Sequence, residues 1–118
     1  MSMPPPIQPT SLIVTTTFNV EGYSIVEYRG LVRGIIVRSP TIAQGFLGGL
    51  KSLVGGQIGS YTEMCEQTRQ SAYDLMVNHA LAIGANAIIG VSYDASEVKM
   101  NATEVLCFGT AVVLKKNS

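Results

Sequence analysis

The chain offers few side chains with chemistry of their own: one histidine, His79, two cysteines, Cys65 and Cys107, and a glycine-rich stretch ahead of a long helical pattern. Thiolate and imidazole suit borderline and soft metal ions, so Cys65, His79 and Cys107 are the first residues to weigh as ligands. Cys65 and His79 share one face of the helix described below, but the 14 residues between them span about 21 Å of helix. One subunit therefore cannot place both on the same ion. Cys107 lies on a later strand and can approach either of them, which gives two ligands where a closed zinc site takes four. A metal centre built on Cys65 and Cys107 needs further ligands from neighbouring subunits or from water. A lone histidine on an apolar stripe is more often a satisfied core or interface residue, and Met64, Met76 and Met100 have the scatter of gap-filling side chains.

The second candidate is the loop Gly55-Gly-Gln-Ile-Gly59 with Ser60 and Tyr61, set at a helix start. Backbone N–H groups and the positive end of the helix dipole can there receive an anion, so Gly55, Gly56, Gly59, Ser60 and Tyr61 are candidate ligand-binding residues. The same glycines also serve as a plain entry turn. Gly45-Phe-Leu-Gly-Gly-Leu-Lys-Ser52 lacks the glycine that a phosphate-binding P-loop sets before its lysine. Glu27, Glu63, Asp94 and Glu104 show no pairing for acid–base work, and no GxSxG-type nucleophile motif is present. Tyr93-Asp94, read as the end of a strand, is explained by a turn. The expectation is a binding protein rather than an enzyme.

The element that must position these residues is a helix over Ser60–Asn86. Ser60-Tyr-Thr-Glu63 has capping-box spacing, and Gly84 supplies the left-handed residue that ends a helix. At 100° per residue, Tyr61, Cys65, Thr68, Ala72, Leu75, Met76, His79 and Ile83 form an apolar stripe that needs a sheet to cover. Val77 and Leu81 fall outside that stripe and are expected on the surface. Strands are expected at Leu12–Thr17, at Tyr23–Arg38 with a bulge or bend at Gly30 and Gly34, at Ala87–Tyr93 and at Thr103–Leu114, the last two as an antiparallel hairpin across Lys99–Ala102. Thr41–Gly59 mixes helical spacing with six glycines and reads as a marginal helix and a loop.

These elements make an α+β fold: a two-layer α/β sandwich in which a small, mostly antiparallel sheet packs on one long helix. Residues 1–11, with four of the five prolines, form an N-terminal arm; residues 12–114 form the single domain; residues 115–118 are a solvated tail. One sheet face is left without a layer. Only 14% of the residues are charged while 47% are apolar, which is little charge for a small monomer, so self-association is expected. Eight basic residues balance eight acidic ones without a like-charge run, which argues against a nucleic-acid partner. Arg29, Arg33 and Arg38 come nearest to a basic patch, with Arg38 on the opposite strand face from Arg33. No signal-peptide pattern or membrane-length apolar stretch occurs, and two unpaired cysteines fit a reducing compartment, so the cytoplasm is expected.

The segments Ile13-Val-Thr-Thr-Thr17, Tyr28-Arg-Gly-Leu-Val-Arg-Gly34, Gly55-Gly-Gln-Ile-Gly-Ser-Tyr61 and Gly84-Ala-Asn-Ala-Ile-Ile-Gly90 resemble, in that order, the YbjQ-like family of small bacterial proteins. That family carries a heavy-metal-binding label without an established biochemical role. The resemblance implies a small α/β subunit in a ring-shaped homopentamer and a heavy-metal ion or small ligand as its cargo, held at subunit interfaces. An alternative is a scaffold without ligand, presenting Thr41–Val54 to a partner or a membrane surface.

Overall fold

A computed structural model describes residues 12–38, 58–98 and 102–118. The expected arm 1–11, the glycine-rich stretch up to residue 57 and part of the hairpin turn lie outside the described residues. In chain order the elements are β1 (Ile13–Val14), β2 (Tyr23–Arg38), α1 (Ile58–Ala82), β3 (Ala87–Glu97) and β4 (Thr103–Lys116). The sheet order is β1-β3-β4-β2. β1 runs parallel to β3, and the other two pairings are antiparallel.

β1 is shorter than expected for a β-branched run: regular pairing stops at Val14, although Thr15 N still donates to Ile88 O at 3.0 Å and Thr15 O and Thr17 O accept from Val91 N and Gly90 N, and the threonine hydroxyls bond locally. Thr15 Oγ1 and Thr17 Oγ1 are 2.9 Å apart, and Thr17 Oγ1 donates to Asn19 O at 2.6 Å. Such local bonds compete with strand pairing. β2 is one continuous strand with two register shifts, between Ile25 and Glu27 and between Tyr28 and Gly30, and Gly30 sits at φ +112°. β3 runs on to Glu97, so Tyr93-Asp94 lies within a strand and not at its end. β4 likewise includes Lys115 and Lys116, and Asn117 behind it is tied in by its N–H to Gly22 O at 2.9 Å and by Ser24 Oγ donating to its Oδ1 at 2.6 Å. The tail expected at residues 115–118 is exposed along its length, with Asn117 held at the β2 turn.

The helix starts at Ile58, two residues ahead of the capping-box serine, so Ser60 is inside it. Its end follows the sequence. Gly84 has φ +80°, Ala85 N donates to Ala80 O at 3.0 Å and Gly84 N to Leu81 O at 3.1 Å. This 6→1 and 5→2 pair is a Schellman motif, and Ala80 and Ala85 are both buried in the same core. Asn86 then clamps the chain onto the last strand. Its Nδ2 donates to Leu114 O at 2.9 Å, and its Oδ1 accepts from Leu114 N at 2.7 Å.

The helix buries Thr68, Ala72, Met76, Val77 and Ala80. This stripe is turned by roughly 60° from the expected one. Cys65, Leu75 and His79 are exposed and Ile83 is half-buried, whereas Val77 is buried and Leu81 packs against the core. The cause is Gly34. A Cβ on it would collide with the Ala72 carbonyl and come within 2.7 Å of Met76 N and Leu75 Cβ. The missing side chain lets the helix backbone lie against β2, with small residues at the point of closest approach. Val32, Ile88, Val91, Val105, Cys107 and Ala111 complete this core from the sheet. A second, smaller core on the other sheet face gathers Ala87, Ile89, Val112 and Leu114 with Ile13, Val20, Tyr23 and Ile25.

Two substitutions test this packing. Gly34→Ala pushes a methyl into helix backbone that cannot yield as a side chain would, and is expected to cost roughly 1–3 kcal/mol in denaturant unfolding. Asn86→Ala removes two bonds to Leu114 and leaves partly buried backbone groups unpaired, for a loss of about 1–3 kcal/mol in the same measurement.

Candidate functional site

The sulfur atoms converge on one place between sheet and helix. Cys107 projects from β4 toward α1, and its Sγ lies 3.6 Å from Met76 Sδ. Both residues are wholly shielded from solvent. Opposite Cys107 on β3 stands its ladder partner Tyr93, and Arg69 of the helix holds its guanidinium 6.0 Å from the Tyr93 ring centre. A cation over an aromatic face at that distance is weakly attractive.

This arrangement keeps its acids protonated. Burial raises the Cys107 thiol above its ordinary range, while the neighbouring Tyr93 hydroxyl acts in the opposite direction. Tyr93 is pushed up to about 12, first by burial and then by Cys107 beside it, with Arg69 pulling weakly the other way. Tyr73 is raised as well, by burial and by the nearby Cys107 and Asp74. In each case the neutral form is favoured in the fold. This stabilisation is complete below the ordinary thiol and phenol ranges and is lost as pH rises through the raised values. A reactive thiolate needs the reverse environment, so Cys107 is poorly set up as a nucleophile. A soft metal ion can still displace its proton, and thioether and thiol are both soft donors.

The two cysteines singled out from sequence are not brought together. Cys65 is exposed on α1, Cys107 is buried, and both are free thiols. Met76, which touches Cys107, lies 11 residues along the helix from Cys65, about 16 Å away by helical rise. Among the described residues no group of three or more His, Cys, Asp and Glu side chains could hold a metal ion. Of the candidate ligand-binding loop, Gly55 and Gly56 lie outside the described residues. Gly59 and Ser60 belong to the first turn of α1 and Tyr61 follows directly, so the loop ends sooner than expected.

His79 has a role that the sequence reading missed. It is exposed, and its Nδ1 accepts a hydrogen bond from the backbone N–H of Arg33 at 3.3 Å. β2 is an outer strand, so this N–H points away from the sheet, and the helix histidine takes the place of a neighbouring strand. Met76 as the partner of Cys107 was also missed, because the contact joins residues 31 apart in sequence. The arginines divide as expected in part: Arg38 Nε is 3.4 Å from Thr68 Oγ1 on the helix side, while Arg33 projects from the other face. Arg29 pairs with Glu27 at 2.8 Å.

The sheet face that no described element covers is built by alternation. Val32 and Gly34 turn to the helix, so Leu31, Arg33, Ile35 and Val37 turn away from it. Leu31, Ile35 and Val37 are 59%, 41% and 46% exposed. Ladder register sets Leu106 beside Ile35 and Phe108 beside Arg33, and both are half-buried. Among the described residues no helix is long and apolar enough to cross a membrane.

The model of a family described as "Putative heavy-metal-binding" matches residues 12–115. A UPF0145 protein of Legionella pneumophila (strain Philadelphia 1) is 55% identical over 104 residues, covering 88% of this chain and 99% of that protein. A UPF0145 protein of Francisella tularensis is 50% identical over 106 residues, covering 88% of this chain and all of its own. A crystal structure of a protein of unknown function of the DUF74 family from Pediococcus pentosaceus shares the fold, with a TM-score of 0.58 at 20% identity over 88% of this chain and 98% of that one. The chain therefore belongs to the YbjQ family, together with these uncharacterised UPF0145 proteins.

Proposed function

We propose that this protein is a cytoplasmic, homo-oligomeric binding subunit, a ring of five copies by family resemblance, that holds a heavy-metal ion or small ligand and catalyses no reaction. The observation that carries the assembly is the apolar sheet face of Leu31, Ile35 and Val37, extended by Leu106 and Phe108. Solvent contact at three large aliphatic side chains on one strand is costly. Burial of such surface against another copy is worth about 25 cal/mol per Å². The leftover helix residues Val77 and Leu81, expected from sequence to drive association, are not part of this argument, since the core already takes them.

For the cargo, the family label is supported by the Cys107–Met76 pair, which offers two soft donors within one contact. Such a pair suits Cu⁺ above Zn²⁺, since zinc adds imidazole or further thiolates. The reading as a binder and not a catalyst rests on the unpaired carboxylates and on a thiol held protonated. The balance of eight cationic against eight anionic side chains keeps nucleic acid outside the proposal. A scaffold without ligand is the second reading. It is favoured by the complete enclosure of both sulfurs, which leaves an ion no open entry.

Native mass spectrometry of protein purified without chelator reads both parts at once. The expected spectrum is a single multiple of the 12.6 kDa subunit, five on the family's precedent. A monomer would remove the assembly. Equilibrium dialysis against Cu⁺, Zn²⁺ and Ni²⁺ is expected to show Cu⁺ uptake that Cys107→Ala abolishes and Cys65→Ala leaves intact; no uptake of any ion would sink the metal reading and leave the scaffold.

A further inference from the structure

Among the described residues the sheet has two open backbone edges, and they differ in charge. β2 forms one of them along its whole length. Arg33 N points outward, where His79 Nδ1 accepts it. No register shift occurs between Gly30 and Arg38, so strand alternation also turns the N–H groups of Leu31, Ile35 and Val37 outward. The other edge begins under β1 and the turn after it: Gly90 N donates to Thr17 O at 2.8 Å and Val91 N to Thr15 O at 3.0 Å. Beyond Val91 that cover ends while β3 continues for six residues, Ser92–Glu97, about 20 Å of strand.

All six of these residues are exposed, on both faces of the sheet, although β4 pairs with them on one side. The helix reaches them only through Arg69 over the Tyr93 ring, because Gly34 seats it over β2 and β4. The outward N–H of Ala95 donates to a makeshift partner, the carboxylate of its own neighbour, with Asp94 Oδ1 at 3.0 Å. A long strand segment with one open edge and two wet faces is an invitation to pair.

We infer that β2 of one subunit pairs edge to edge with Ser92–Glu97 of the next copy of this chain, so that the sheet continues across the subunit boundary. This rests on the homo-oligomer proposed above and specifies its interface. Charge selects the partner edge. From residue 29 to 38, β2 carries Arg29, Arg33 and Arg38, whereas the free part of β3 carries Asp94 and Glu97. Pairing β2 with β2, or β3 with β3, sets like charges together; pairing β2 with β3 sets opposite ones together. The two edges lie on opposite sides of the sheet, so the contact is head-to-tail, and repetition closes a ring if the rotation permits. His79 and Asp94 act in the isolated subunit as stand-ins for the missing strand and turn aside when it arrives.

The test uses two substitutions that each remove an outward N–H and leave the internal ladder alone, Ile35→Pro on β2 and Ala95→Pro on β3. Light scattering after size exclusion is expected to show loss of the assembly in each variant alone. An equimolar mixture is expected to form a 1:1 heterodimer of twice the 12.6 kDa subunit mass, because each variant retains the edge that the other lacks. If the wild type assembles while either variant assembles equally well, or while the mixture stays monomeric, the edge pairing is wrong and the oligomer stands. A monomeric wild type overturns both. Should the proline variants lose their circular dichroism, Arg33→Glu and Asp94→Lys take their places: each alone is expected to lose the assembly, and the mixture, in which both edge contacts again join opposite charges, is expected to regain masses above that of a heterodimer; wild-type assembly of either variant alone, or a monomeric mixture, overturns the edge pairing.

Discussion

The approach of α1 to β2 at Gly34 is the contact from which the rest of the subunit follows. With hydrogen in place of a side chain, the sheet presents bare backbone to the Ala72–Met76 turn of the helix, closer than any Cβ allows. That fixes the helix over β2 and β4 and sets its rotation, so that Ala72, Met76 and Ala80 face inward and Cys65 and His79 do not. It also decides what stays uncovered. A helix centred on β2 and β4 cannot reach the far half of β3, and among the described residues the opposite sheet face carries the small core at the β1 end. The open surface of the subunit is the consequence of where one glycine seats one helix.

The same contact encloses the sulfur pair. Met76 is pressed onto Cys107 because the helix lies so close, and Tyr93 closes the space from β3. Desolvation then holds thiol and phenol neutral, which is a poor setting for nucleophilic chemistry. The structure thus moves the interest from Cys65, which is accessible but isolated, to Cys107, which has a second sulfur beside it.

Much of the fold was legible in the sequence because its signals are local. β-branched runs marked β2, β3 and β4, and Gly84 marked the helix end because a left-handed residue there needs no Cβ. What escaped depended on topology. Hydrophobic periodicity gives alanine little weight, so the expected stripe centres on Cys65, Leu75 and His79, although Ala72 lies at the closest approach to Gly34 and Ala80 is fully buried. The role of Gly34 could be read as a bend but not as a seat for the helix, since nothing in its neighbours names the element above it. His79 as acceptor for Arg33 and Asn86 as clamp on Leu114 join residues 46 and 28 apart, and each has meaning only once the strand order is known. The candidate site was legible to the extent of Cys107. Its partner Met76 was read as core filler, which it also is.

The central claim is that copies of this chain cover the outer edge of β2 and the free half of β3. Residue-resolved amide hydrogen exchange on the assembled protein tests it most directly, because the amides of Leu31, Ile35, Val37 and Ala95 have no backbone partner among the described residues. The account predicts slow exchange at these four positions at assembling concentrations, approaching that of the internal β2–β4 ladder. Exchange at the rate of exposed loops, in a molecule shown at the same time to be an oligomer, would contradict it.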